Sequence, residues 1–159
     1  MKTTLITGGL GFIGSSICEV LLQKKYTNKC ILLDNFGGYM NPIKNNFVDF
    51  RKQRFPSLKN IIIERCDTSN YKALSSIIKK YRPNYIYHTA ALPLAKVSNL
   101  NNEEAKISSV DSTVNIIDAI NLIKNSNKKF QFDRFIYFSS SMVYGDFKKS
   151  IVNENSEKN

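Results

Sequence analysis

The chain has 159 residues, 42% hydrophobic and 23% charged, which is enough for one globular domain with its own core and unlike a disordered chain. No apolar run approaches the ~20 residues that a bilayer span needs, and the opening residues 1–9 are too short and glycine-broken to read as a signal peptide. The formal charge of +10 raises nucleic acid as a partner. However, Lys24-Lys25, Lys79-Lys80 and Lys128-Lys129 each close a stretch that reads as a helix, where cations complement the carbonyl end of the dipole. No nucleic-acid partner and no membrane partner are therefore expected. Cys18, Cys30 and Cys66 are odd in number and lack paired spacing, so the expectation is reduced, buried thiols in a cytoplasmic protein, with no disulfide framework and no metal site. A two-domain enzyme with separate cofactor and substrate domains would barely fit this length.

Residues 2–7 are a short apolar strand running into glycines. Residues 12–25 predict a helix with Ile13, Ile17, Val20 and Leu21 on one face. Residues 30–34 predict a second strand. Phe36-Gly37-Gly38-Tyr39 reads as a loop, and residues 42–55 as a basic helix with Pro42 in its first turn. Residues 60–65 carry Ile61-Ile62-Ile63, a buried-strand signature. Residues 69–81 predict a helix with Leu74, Ile77, Ile78 and Tyr81 on one face, ended by Arg82-Pro83. Residues 85–89 predict a fourth strand and residues 90–102 a loop. Residues 103–125 predict a long helix with a face of Ile107, Val110, Val114 and Ile117. Residues 135–139 predict a fifth strand, and the chain turns polar from about residue 147.

Strand and helix thus alternate, and the strands are continuous apolar runs. The fold class is α/β: a Rossmann-type doubly wound parallel sheet with helices on both faces. The whole chain, 1–159, reads as one domain without repeats or linkers.

Thr7-Gly8-Gly9-Leu10-Gly11-Phe12-Ile13-Gly14 follows the first strand and opens the first helix. Glycines at 8, 11 and 14 allow a tight turn, a close approach of pyrophosphate to backbone N–H groups, and close packing of helix on sheet. Asp34 ends the second strand, 20 residues after Gly14. A carboxylate there accepts ribose hydroxyls and repels a 2′-phosphate, which favours NAD over NADP. The alternative is a strand–helix turn whose glycines serve packing only.

These residues resemble the extended short-chain dehydrogenase/reductases, the NAD-dependent nucleotide-sugar epimerase and dehydratase group that includes UDP-glucose 4-epimerase. The resemblance extends from residue 2 to about residue 146. It includes Leu33-Asp34-Asn35, Cys66-Asp67-Thr68, His88-Thr89-Ala90-Ala91 and Phe138-Ser139-Ser140-Ser141-Met142-Val143-Tyr144-Gly145. It implies that Gly8, Gly11, Phe12, Ile13 and Gly14 hold the pyrophosphate, and that Asp34 and Asn35 hold the adenosine side. Asp67 and Thr68 would border the adenine, and Ala90 and Ala91 would flank the ribose and nicotinamide. Ser140 would bond the reacting sugar oxygen as a catalytic residue. Asp67 could instead serve the start of the following helix, and His88 reads as a packed strand residue rather than a base or ligand.

The sequence departs from the family in three places. Ser109 and Ser112 stand in Ser109-Val110-Asp111-Ser112-Thr113, where the family often has Asn and Gly. Met142 stands where the family's 4,6-dehydratases carry a glutamate, and a thioether cannot move a proton. Dehydration therefore loses ground to epimerisation or simple reduction. The family also needs a Tyr-x-x-x-Lys pair on a helix, whose ammonium lowers the tyrosine's pKa. The pair with that spacing is Tyr144 and Lys148, but Tyr144 belongs to the Val-Tyr-Gly motif and Gly145-Asp146 is poor helix material.

The expected function is the NAD-binding, N-terminal portion of an epimerase-like enzyme that works by transient hydride transfer at a sugar carbon. These residues alone would not be catalytically competent. The substrate in the full-length enzyme would be a nucleotide sugar, and residues 103–125 would form a homodimer contact. The alternatives are a non-catalytic dinucleotide-binding module, or a related sugar reductase or dehydratase.

Overall fold

The computed structural model describes residues 2–37, 55, 59–92, 102–146 and 151–158. Five parallel strands form one sheet: β1 (Thr3–Thr7), β2 (Lys29–Asp34), β3 (Ile61–Arg65), β4 (Tyr85–His88) and β5 (Arg134–Tyr137). Their order is β3-β2-β1-β4-β5. Leu5 stands level with Ile31 on one side and Ile86 on the other. The order reverses between β1 and β4, so the carboxyl ends of these two strands open the crevice in which doubly wound sheets bind ligands.

The strands read as continuous apolar runs because both sheet faces are covered, and successive residues feed opposite layers. Leu5, Ile31, Leu33 and Ile86 pack with Leu74, Ile78, Ile116, Ala119, Ile120 and Ile123. Ile6, Cys30 and Leu32 pack with Leu10, Cys18 and Phe55 on the other face.

Helix α1 (Phe12–Gln23) starts as expected, but its buried face differs from the one the apolar period marks. Gly14, Ser15 and Cys18 are buried, whereas Ile13 and Val20 are 52% and 51% exposed. The small side chains let the helix lie close on β1 and β2, and Ile17 and Leu21 cover the edge of that contact.

Helix α2 (Tyr71–Tyr81) buries Leu74 and Ile78, as its period predicts, with Ile77 and Tyr81 half-buried beside them. Its N-cap is Asn70, whose side chain accepts the Ala73 N–H at 3.1 Å. Lys79 and Lys80 lie in its last turn, and Arg82 closes it at φ 45° before Pro83.

The predicted long helix forms in three joined parts: α3 (Asn102–Lys106), a π-helical turn (Ile107–Asp111) and α4 (Ser112–Ser126). Its core side is Ser112, Ile116, Ala119, Ile120 and Ile123. The face expected from the 3-4-3 spacing points outward, with Ile107, Val110, Val114 and Ile117 38–54% exposed. The period found a genuine apolar stripe, but the described residues leave it exposed.

The expected helix over residues 42–55 lies outside the described residues except for Phe55, which is buried at 7% exposure. The three cysteines are free and buried. Burial pushes the Cys66 thiol up to about 11, and a hydrogen bond with Cys18 together with burial pushes Cys30 up as well. Among the described residues, no helix is long and apolar enough to cross a membrane, and no group of His, Cys, Asp and Glu could hold a metal ion.

Candidate functional site

The turn after β1 carries the glycine motif and is tied to both neighbouring strands. Gly8 has φ +63°, a conformation glycine adopts without strain. A Cβ on Gly8 would lie 2.9 Å from the Ala90 nitrogen, so the turn after β1 and the turn after β4 touch backbone to backbone. A Cβ on Gly14 would fall inside 3.0 Å of the Gly8 carbonyl oxygen, and 2.9 Å from Gly9 Cα. Gly9 is equally constrained, because a Cβ there would meet Leu32 Cβ at 2.7 Å. Gly9 lies outside the Gly-x-x-Gly-x-x-Gly spacing; its adjacency to Gly8 was its only signal.

Helix α1 opens with Gly11 as its N-cap, with no side-chain cap and no acidic residue in the first turn. The first intrahelical bond at this end runs from Ser15 N–H to the Gly11 carbonyl at 3.0 Å. The N–H groups of Phe12, Ile13 and Gly14 therefore precede the ladder, as in any helix start, and lie at the positive end of the dipole. Phe12 and Ile13 at this end are 79% and 52% exposed.

Asp34 reaches this turn from the end of β2. Its Oδ2 accepts the Leu10 N–H at 3.1 Å and its Oδ1 accepts the Phe36 N–H at 2.9 Å. The carboxylate is 8% exposed, so its position is fixed by backbone donors on both sides. Asn35 donates from Nδ2 to Asp67 Oδ2 at 3.0 Å, and its Oδ1 accepts the Gly37 N–H at 2.8 Å. Asp67 Oδ1 accepts both the N–H and the hydroxyl of Ser69. Burial pushes the Asp67 carboxyl up, but the bonds from Asn35 and Ser69 outweigh it and hold it below its ordinary value. The helix-start alternative for Asp67 is thus half right, since it orders Ser69 while Asn70 is the cap. Thr68 is buried, and the Asn115 amide donates to the Thr68 and Ser69 carbonyls at 3.0 and 2.9 Å. Asn115 ties the long helix to this loop, and nothing in its sequence context marks it.

On the β4 side, the Thr89 hydroxyl and N–H both donate to the Thr7 carbonyl, at 2.6 and 3.2 Å. Ala90 is half-buried against Gly8, and Ala91 is exposed. Ser140 follows β5 and is exposed; its carbonyl accepts the Val143 N–H at 3.2 Å. The 3-10 turn Ser141–Tyr144 ends there, with Gly145 at φ 58°. Tyr144 therefore closes a short turn, and Lys148 lies outside the described residues.

Gly8, Gly11, Gly14, Asp34, Asn35, Asp67, Ala90 and Ala91 thus follow the carboxyl ends of the strands, with Gly8 against Ala90 at the β1–β4 crevice and Asn35 bonded to Asp67 on the β2–β3 side. An open helix start and a fixed carboxylate beside it fit a dinucleotide: donors for the pyrophosphate, and an acceptor for a ribose.

The family model described as GDP-mannose 4,6 dehydratase matches residues 5–159. The chain belongs to this family. Among curated relatives of this GDP-mannose 4,6 dehydratase family member, the UDP-glucose 4-epimerase of Schizosaccharomyces pombe is 29% identical over 146 residues, 91% of this chain and 36% of the relative. The dTDP-D-glucose 4,6-dehydratase of Dictyostelium discoideum is 28% identical over 159 residues, 100% of this chain and 33% of the relative. The fold matches the crystal structure of UDP-glucose 4-epimerase from Brucella ovis in complex with NAD, with a TM-score of 0.74 at 22% identity, covering 100% of this chain and 42% of that one. The chain spans less than half the length of these relatives. The expected nucleotide-sugar epimerase and dehydratase kinship and the Rossmann-type fold both hold.

Proposed function

We propose that this chain is the NAD-binding part of a nucleotide-sugar epimerase-like enzyme, located in the cytoplasm. The observation that carries the reading is Asp34, held by the Leu10 N–H beside the open start of α1. Gly8, Gly11, Phe12, Ile13 and Gly14 present backbone to the pyrophosphate. Asp34 accepts the adenosine ribose hydroxyls with help from Asn35, and turns away a 2′-phosphate by charge. Asp67 and Thr68 border the adenine, and Ala90 and Ala91 line the nicotinamide side. Bound NAD supplies reversible hydride chemistry at a sugar carbon. Ser140, exposed after β5, hydrogen-bonds the reacting sugar oxygen and shares its proton with a tyrosine. The free, buried cysteines fit a reducing compartment.

The 159 residues hold one Tyr-x-x-x-Lys spacing, Tyr144 and Lys148, and Tyr144 sits at the end of a 3-10 turn closed by Gly145. A tyrosine that ends a short turn instead of opening a helix supports the reading that these residues bind NAD without turning over sugar. Epimerisation of a UDP-hexose by the chain alone would contradict this, and so would a chain that folds but takes up no NAD. The exposed stripe Ile107, Val110, Val114 and Ile117 supports self-association through the long helix, because aliphatic side chains in one row gain by leaving water.

A further inference from the structure

His88 is the only histidine in the chain. It lies at the end of β4, 2% exposed, between the site and the long helix. Its Nδ1 is 2.6 Å from the Thr7 hydroxyl, and its Nε2 is 3.4 Å from the Ser112 hydroxyl. The proton positions follow from the partners beyond these two. Ser112 donates its one hydroxyl proton to the Ser108 carbonyl at 2.6 Å, so toward His88 it can only accept. Thr7 Oγ1 accepts the Ala90 N–H at 3.2 Å. If it also accepted from Nδ1, its own proton would be left without a partner in a fully buried side chain. Both constraints are met when Thr7 donates to Nδ1 and the imidazole is neutral, with its proton on Nε2.

The bonds then run in one direction: Ala90 N–H to Thr7 hydroxyl, Thr7 to His88, His88 to Ser112, and Ser112 to Ser108. Thr7 precedes Gly8, Ala90 flanks Gly8, and Ser108 lies in the π-helical turn. Such turns leave the regular helical ladder and often occur at functional positions. Here a π-turn carbonyl is met by Ser112, at the position where the family pattern has glycine.

We propose that His88 is a positioning residue: its Nε2–H tautomer locks Thr7 and Ala90, the two turns that form the crevice floor, to the π turn of the long helix. The role in cofactor binding rests on the NAD reading above; the lock itself does not. Burial holds the imidazole down to about 4 and is the only cause of that shift. The rings of Phe135 and Tyr137 on β5 lie against it, and the Tyr137 phenol is the one titratable group among these contacts.

Long-range ¹H–¹⁵N NMR of the full chain at neutral pH reads the tautomer directly, with a single histidine to assign. The expected result is a protonated Nε2 and an unprotonated Nδ1. A protonated Nδ1, a mixture or an imidazolium overturns the lock. Amide exchange at Ala90 is the second readout. His88→Leu is expected to speed it by about tenfold, the order of one lost buried hydrogen bond. His88→Asn, whose carbonyl can accept from Thr7, is expected to restore most of the protection; no rescue, or no change in His88→Leu, also overturns the lock. NAD titration of the same proteins separates the two claims. If the unmodified chain takes no NAD, the cofactor reading fails while tautomer and exchange still judge the lock. If it binds NAD, weaker binding in His88→Leu with rescue in His88→Asn is expected, and equal binding in all three refutes the positioning role.

Discussion

Replacing Gly14 by alanine tests how the glycine turn is built. The new Cβ would meet the Gly8 carbonyl oxygen inside the 3.0 Å that real Cβ atoms keep, with Gly9 Cα at 2.9 Å and Gly8 C at 3.0 Å. All three are backbone atoms of the turn, so no side chain can swing away, and relief requires α1 to lift from the turn. Overpacking of this kind costs about 3 kcal/mol at the upper end of its range. Alanine's better helix propensity returns ~1 kcal/mol. The net loss of about 2 kcal/mol corresponds to a melting point lower by roughly 4–8 °C in a domain of this size. Gly11→Ala is the control: its Cβ has one near neighbour, Gly8 O at 3.0 Å, and its extended N-cap backbone (φ −69°, ψ 173°) suits any residue. Calorimetry should show the larger fall for Gly14→Ala, and a cofactor titration should show weaker NAD binding. A Gly14→Ala protein as stable as its parent, with the same NAD affinity, would refute the reasoning that close backbone approach explains the glycine.

Asp34→Ala frees the Leu10 and Phe36 N–H groups and is expected to lower stability by about 1–3 kcal/mol for the buried donor, while narrowing any preference for NAD over NADP; denaturant unfolding and paired titrations read both. Burial holds the His88 imidazole down to about 4, against an ordinary value of 6.5. The unfolded chain therefore binds the extra proton between those values, and stability falls as pH drops from 6.5 toward 4, by about 3 kcal/mol in all. Melts of the parent and His88→Asn across that window should show the steeper slope in the parent, and equal slopes would contradict this. Val114→Lys, on the exposed stripe, should shift an associating chain toward monomer in sedimentation without lowering its melting point.

The sheet was readable because each strand is an apolar run, and the Gly8–Gly14 segment because few other arrangements need three glycines at the entry to a helix. The helix faces were less readable, for a physical reason. Where a helix lies close on a sheet, small residues such as Gly14, Ser15 and Cys18 occupy the contact, while larger apolar residues such as Ile13 and Val20 are left outward. In α1 the hydrophobic period therefore marks the core face only in part, through Ile17 and Leu21 at its edge. On the long helix, Ile107, Val110, Val114 and Ile117 form a second apolar stripe, left exposed by the described residues. Asn115 and the Thr7–His88–Ser112 series depend on partners 24–81 residues apart, and no local spacing announces them. Ser112 read as a departure from the family pattern, and the fold gives it a buried bond of its own.

The central claim is that Asp34, fixed beside the open start of α1, makes this a site for NAD. Titration of the unmodified chain with NAD and with NADP, under one buffer and salt concentration, tests it most directly. Saturable NAD binding with weaker NADP binding is the predicted result. NADP binding as tight as NAD or tighter, or no binding of either by a folded chain, would contradict it.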